Sequence, residues 1–147
     1  MSGTFMQMAL NEARAAAERG EVPVGAVLVR GVEVIARDGN RTREFNDATA
    51  HAEILVLRAA GARLKSERLL NCDLYVTLEP CAMCAAAISF ARIRRLYFGA
   101  SDPKGGGVEH GPRFFSQGTC HHAPEVYGGI AERQAAEVLK AFFQERR

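Results

Sequence analysis

Asp73-Leu74-Tyr75-Val76-Thr77-Leu78-Glu79-Pro80-Cys81-Ala82-Met83-Cys84 decides the architecture of this chain. Asp73 to Leu78 alternates and is rich in β-branched and aromatic types, which predicts a strand. Glu79-Pro80 ends it, because the residue before a proline is driven out of helical geometry and proline gives no amide to a ladder. Proline suits the first turn of a helix, so a helix is expected from Pro80 to about Ala91. Arg94 to Gly99 is strand-like again. Strand, helix and strand in that order imply a parallel crossover.

Working outward, Phe5, Met8, Ala9, Ala13 and Ala16 make the apolar face of an N-terminal helix that stops at Gly20. Val22 to Val29 and Val32 to Ala36 read as two strands joined at Arg30-Gly31, a hairpin. Asp38-Gly39-Asn40 breaks the second strand. A polar loop follows to Ala48, and Thr49 is the expected N-cap of a helix from about Ala50 to Ala62. Ser101 to Pro112 is Gly/Pro-rich loop. Residues 113 to 129 are expected to hold a short helix and a last strand near Glu125 to Tyr127. Ile130 to Glu145 is helical, with Ile130, Val138, Leu139, Phe142 and Phe143 apolar. This is one α/β domain spanning residues 1–147, three layers thick, with helices on both faces of a sheet.

The chemistry gathers at the starts of two helices. Cys81 and Cys84, three apart in a first turn, share a face. A helix N-terminus favours thiolate over thiol. His51 and Glu53 sit at the start of the preceding helix, where side chains lean toward its N-terminal end. Two helix N-termini thus face one point, at the carboxyl end of a strand, where sites of open α/β sheets collect. One imidazole and two thiolates are what a catalytic zinc takes, with its fourth position open to water that it acidifies. Glu53 is left over to move protons. Bland readings compete: a closed structural zinc site using another cysteine, a Cys-x-x-Cys redox pair, or a plain helix-start carboxylate at Glu53. Cys72 precedes the strand that ends at Glu79 and should lie roughly 20 Å from Cys81 at about 3.3 Å per residue. Cys120, His121 and His122 are not excluded by distance.

His51-Ala52-Glu53 followed by Pro80-Cys81-Ala82-Met83-Cys84 resembles the known signature of the zinc-dependent cytidine/deoxycytidylate deaminase superfamily. Val22 to Val27, Gly39-Asn40-Arg41, Thr49 to Glu53, Leu74 to Cys84, Ala91 to Gly99 and Phe142 to Arg147 are similar to its bacterial tRNA-specific adenosine deaminases. Likeness is weakest from Ser101 to Gly129, and Cys120-His121-His122-Ala123-Pro124 departs from the pattern of many relatives. The resemblance implies a cytidine-deaminase-like α/β/α fold with a central mixed five-stranded sheet. It implies one zinc ion per subunit on His51, Cys81 and Cys84, with Glu53 as catalytic proton shuttle. The Asn40 side chain and the Ala52 amide are implied to meet substrate. The implied reaction is hydrolytic deamination of adenosine at wobble position 34 of a tRNA anticodon loop, by a homodimer. Ala85 to Ala91 and Arg92 are candidates for its interface. Alternatives are a free guanine, cytosine or nucleoside deaminase on the same fold, and a non-catalytic zinc-bearing RNA-binding module. Glu79 is expected to be structural, bonding nearby backbone amides.

Composition permits this and excludes little else. The 147 residues are 48% hydrophobic, enough for a core, so disorder is not expected. Nineteen basic against 17 acidic residues leave a formal charge of +2, too mild to indicate nucleic acid alone. Arg92, Arg94, Arg95, Arg146 and Arg147 cover either a solvated face or RNA phosphate. Lys104-Gly105-Gly106-Gly107 lacks the phosphate-loop pattern and reads as a mobile loop rimming the pocket. Phe142 and Phe143 read as core, with base stacking the alternative. No apolar run approaches the ~20 residues of a membrane span. The N-terminus lacks a basic-then-apolar signal pattern, so a cytoplasmic location is expected, with the four cysteines reduced.

Overall fold

The computed structural model describes residues 2–145; Arg146 and Arg147 lie outside it. The elements are helix α1 (Ser2–Glu18), strands β1 (Gly25–Arg30) and β2 (Glu33–Gly39), and α2 (Ala52–Leu64). Then come β3 (Cys72–Leu78), α3 (Ala82–Phe90), β4 (Arg95–Ala100), a 3-10 turn at Phe114–Ser116, β5 (Glu125–Tyr127) and α4 (Glu132–Glu145). The five strands form one sheet in the order β2-β1-β3-β4-β5. β1 is antiparallel to both β2 and β3, while β3, β4 and β5 run parallel. The sheet is therefore mixed, with β3-α3-β4 the expected crossover.

Each sheet face buries its own cluster. Leu28, Leu74, Val76, Leu96 and Phe98 pack under Val56 and Ala60 of α2 and Ala85 and Ile88 of α3. Val27, Val29 and Tyr75 pack under α1 and Ala135 of α4. The α1 stripe is deeper than the sequence reading placed it: Met6 and Leu10 are fully buried beside Ala9, Ala13 and Ala16. Alanine lets α1 sit so close that a side chain on Gly25 would meet the Ala9 carbonyl at 2.0 Å. Asp38 and Gly39 continue β2 instead of breaking it, because both pair with the start of β1 across the ladder.

Register sets the site. Gly25 lies opposite Gly39, and the Gly25 amide donates to Thr77 Oγ1 at 3.1 Å near the end of β3. Leu78 pairs with Ala100 at the end of β4. The segments entering β1 and leaving β2, β3 and β4 thus meet at one end of the sheet. Arg94 and Arg95 sit at the other end, where β4 begins. They are bound to Asp73 at 2.8 Å and Glu125 at 2.8 Å, which removes them from the pocket.

Candidate metal centre and substrate pocket

His51 and Cys81 are the N-cap residues of α2 and α3, and neither side chain caps its own helix. Thr49, the expected cap, has its hydroxyl and amide on Asp47 Oδ1 at 2.7 and 2.8 Å. That local turn holds Thr49 back and leaves His51 at the helix mouth. Pro80 likewise falls just before the cap rather than within the first turn. Cys84 follows inside the first turn of α3 and is fully buried.

His51 Nδ1 lies 3.7 Å from Cys81 Sγ and 3.5 Å from Cys84 Sγ. Bond lengths of about 2.3 Å to sulfur and 2.05 Å to nitrogen put S and N about 3.6 Å apart in a tetrahedral zinc site. The three side chains are already spaced for that ion. Among the described residues, they form the one group of three or more His, Cys, Asp or Glu ligand atoms within 4.8 Å of one another. Among the described residues no fourth such side chain closes it. Cys120 Sγ contacts Ser89 Oγ at 3.5 Å, and His122 Nε2 donates to the Ile93 carbonyl at 2.7 Å. Cys72 is buried at the start of β3.

The electrostatics suit a cation. Cys84 donates to Cys81, and with His51 beside it the Cys81 thiol is pulled down to about 4. Cys84 is pushed up, because its proton is held by Cys81 and because it is buried. His51 is raised, first by its contact with Cys81. The pair thus shares one proton that a divalent ion would displace. Glu53, 4% exposed, is pushed up to about 7 by burial, against its neighbour His51. It stands beside Cys84 but is not one of the three ligands.

A cavity of about 320 Å³ opens over this group, within the range of small-molecule sites. It is lined by Val22, Val24, Asn40, Thr42, His51, Glu53, Leu78, Glu79, Cys81, Asp102 and Gly105. Asn40 Oδ1 accepts the Ala52 amide at 2.7 Å. Ala52, whose amide is implied to meet substrate, is fully buried, and here that amide is engaged by Asn40. What Asn40 has left to offer is its amide nitrogen.

Glu79 is fully buried and accepts the amides of Asp102, Val108, Glu109 and His110 between 2.9 and 3.1 Å. His110 Nδ1 donates to it at 2.8 Å. Burial alone would raise this carboxyl; the amides and the His110 ring outweigh it and hold it below its ordinary value. The glycine loop, expected to be mobile, is instead clasped over the pocket rim. A side chain on Gly106 would meet Glu79 Oε2 at 2.3 Å, and one on Gly107 the Ala82 nitrogen at 2.6 Å.

The MafB19-like deaminase profile matches residues 2–147. The tRNA-specific adenosine deaminase of Agrobacterium fabrum (strain C58) is 70% identical over 143 residues, which are 97% of this chain and 94% of that protein. The chain belongs to the MafB19-like deaminases, in the tRNA-specific adenosine deaminase family. The Bacillus subtilis (strain 168) tRNA-specific adenosine deaminase is 43% identical over 143 residues, 97% of this chain and 89% of that protein. A solved structure from work on A-to-I editing by tRNA:A34 deaminases at the wobble position superposes with a TM-score of 0.91 at 70% identity. It covers 92% of this chain and 99% of its own. The guanine deaminase of Bacillus subtilis is 37% identical with a TM-score of 0.64, over 67% of this chain and 63% of that one.

In this deaminase the pocket also depends on Glu21, which sequence reading passed over. It is 1% exposed and accepts the amides of Arg43 and Glu44 at 3.1 and 2.9 Å. Its only sequence signal is an acid abutting the apolar run Val22 to Val29. Phe142 and Phe143 lie on α4 and neither lines the cavity; Phe142 is buried as expected, but Phe143, expected in the core, is 50% exposed because it falls on the outer side of the helix.

Proposed function

We propose that this chain is a hydrolytic deaminase converting adenosine to inosine at position 34, the wobble position, of a tRNA anticodon loop. The observation that carries it is an unligated buried acid, Glu53, beside a three-ligand cluster with no fourth side chain among the described residues. The 70% identity over nearly the whole chain supports tRNA as substrate. His51, Cys81 and Cys84 would hold one zinc ion, which would make hydroxide available near neutral pH. Glu53 takes a proton from the attacking water and delivers it to N1 of adenine as C6 is attacked. It then takes the second proton, from the hydroxyl now on C6, and passes it to the departing amine, so water is consumed, ammonia leaves and inosine remains. Burial raises the Glu53 carboxyl, the direction that suits a group which must both take and give a proton. Asn40 directs its amide nitrogen at the base, while its oxygen fixes the Ala52 amide beside His51. A loop nucleotide supplies the substrate because it can be splayed from its neighbours without opening a duplex.

Residues 1–147 act as one domain, as a homodimer in the cytoplasm. Among the described residues no helix is long and apolar enough to cross a membrane. The dimer contact is the open groove between α2 and α3, lined by Ile54, Leu57, Ala87, Phe90 and Ala91. Phe90 is 69% exposed there, as expected where a second copy covers the surface. Incubation with total tRNA and mapping of inosine tests the function. Inosine at position 34 is expected. Ammonia released from free guanine, with tRNA unchanged, would assign the fold to free-base deamination.

A further inference from the structure

The loop leaving β2 presents one aromatic ring that the core does not use. Phe45 is 51% exposed, belongs to neither hydrophobic cluster and pairs with no other ring among the described residues. A single exposed aromatic means little; its mount is what gives it meaning. Glu21 lies beneath the loop and holds the amides of Arg43 and Glu44. Arg41 braces it from the side, bound to Asp38 at 2.9 Å and Glu44 at 2.7 Å. The Phe45 amide donates to the Arg41 carbonyl at 3.0 Å, closing one helical turn over residues 41–45, and the Asp47 amide spans five residues to the Thr42 carbonyl at 3.0 Å. On such a turn residues three apart share a face. Phe45 therefore stands on the side of Thr42, and Thr42 lines the cavity with Asn40, His51 and Glu53. Phe45 itself is outside that cavity. Arg43 beside it is exposed and forms no ion pair among the described residues; its guanidinium reaches the Gly20 carbonyl at 3.4 Å.

We infer that Phe45 is a stacking platform for a nucleobase flanking the one that enters the cavity. The inference rests on the proposed action on a tRNA loop and deepens it. A flat ring accepts any base, and one fixed before binding loses little freedom when it stacks. A free base lying within the cavity would not reach it. Phe45 would thus be one of the groups by which the site favours a loop over a lone nucleoside.

Steady-state deamination of a synthetic anticodon stem-loop tests this. Phe45→Ala should raise KM about 10- to 100-fold with little change in kcat, the scale of one lost base–aromatic stack. Phe45→Tyr should restore the KM, and Phe45→Leu, apolar but not flat, should not. An abasic residue on one side of the target adenosine should raise the wild-type KM and erase the difference between wild type and Phe45→Ala. An unchanged KM in Phe45→Ala overturns the inference, as does a difference that survives abasic substitution on both sides. A KM effect accompanied by dissociation in sedimentation assigns Phe45 to a contact between copies and also overturns it. Absence of inosine with the wild-type protein overturns the proposed function and this inference together; inosine formed equally well by the variant overturns the inference alone.

Discussion

Glu53 and Cys84 are neighbours on two different helices, and the division of labour between them is set by what each can bind. A thiol buried against a second thiol and an imidazole would release its proton to solvent when a divalent ion binds; a carboxyl buried just beyond them would keep a proton to pass on. Glu53→Gln should therefore retain one zinc per chain by elemental analysis and lose deamination by about 10²–10⁴-fold. Full activity in that variant would remove Glu53 from the mechanism. Asn40→Ala leaves the Ala52 amide buried without its acceptor, which should lower stability by about 1–3 kcal/mol in urea unfolding and raise KM. These residues were legible because metal ligands must be of a few chemical types at helix-turn spacing. The engagement of Ala52 by Asn40 was not legible: it joins residues 12 apart across a loop whose path no local pattern dictates.

At the scale of single elements, two buried carboxylates act as clasps. Glu21 holds the loop after β2 and Glu79 the loop after β4, so each wall of the pocket hangs from one acid. Burial alone would raise Glu21, but the Glu44 and Arg43 amides and the Thr42 hydroxyl outweigh it and hold the carboxyl below its ordinary value of 4.5. A depressed pKa contributes stability above the unfolded value, and that contribution is lost as pH falls through the folded one. Glu21→Gln should thus be less stable than wild type by about 2 kcal/mol at pH 7. The gap should narrow below pH 4.5 in parallel unfolding curves; a gap constant with pH would show that shape rather than charge holds the loop. Gly107→Ala drives a methyl onto the backbone of Ala82 at the mouth of α3 and should cost about 1–3 kcal/mol. The Gly-Gly-Gly run looked like mobile loop because glycine marks both freedom and close approach, and only the neighbours in space tell which. Thr49 misled in the same way: its capping chemistry was real, but Asp47 took it up two residues earlier in the chain.

For the whole molecule, the sheet carries the site and the helices seal it. Chelation of zinc should lower the melting temperature, because the ion binds the folded chain through residues 30 or more apart in sequence, and re-addition of zinc should restore both melting and inosine formation. Phe90→Glu places a charge in the α2–α3 groove and should yield a monomer in sedimentation while leaving the fold intact by circular dichroism. A dimer unchanged by that substitution would move the contact to another face.

Strand and helix order, the parallel crossover and the candidate His51, Cys81 and Cys84 cluster follow from order along the chain alone, since period-two and helical-turn patterns and ligand chemistry are local properties. Which arginines are paired at the far end of the sheet, which amide Asn40 holds, and which acids pin the two loops belong to the folded chain. Each of those is a contact between segments distant in sequence, and a buried polar group takes whatever partner packing brings within reach.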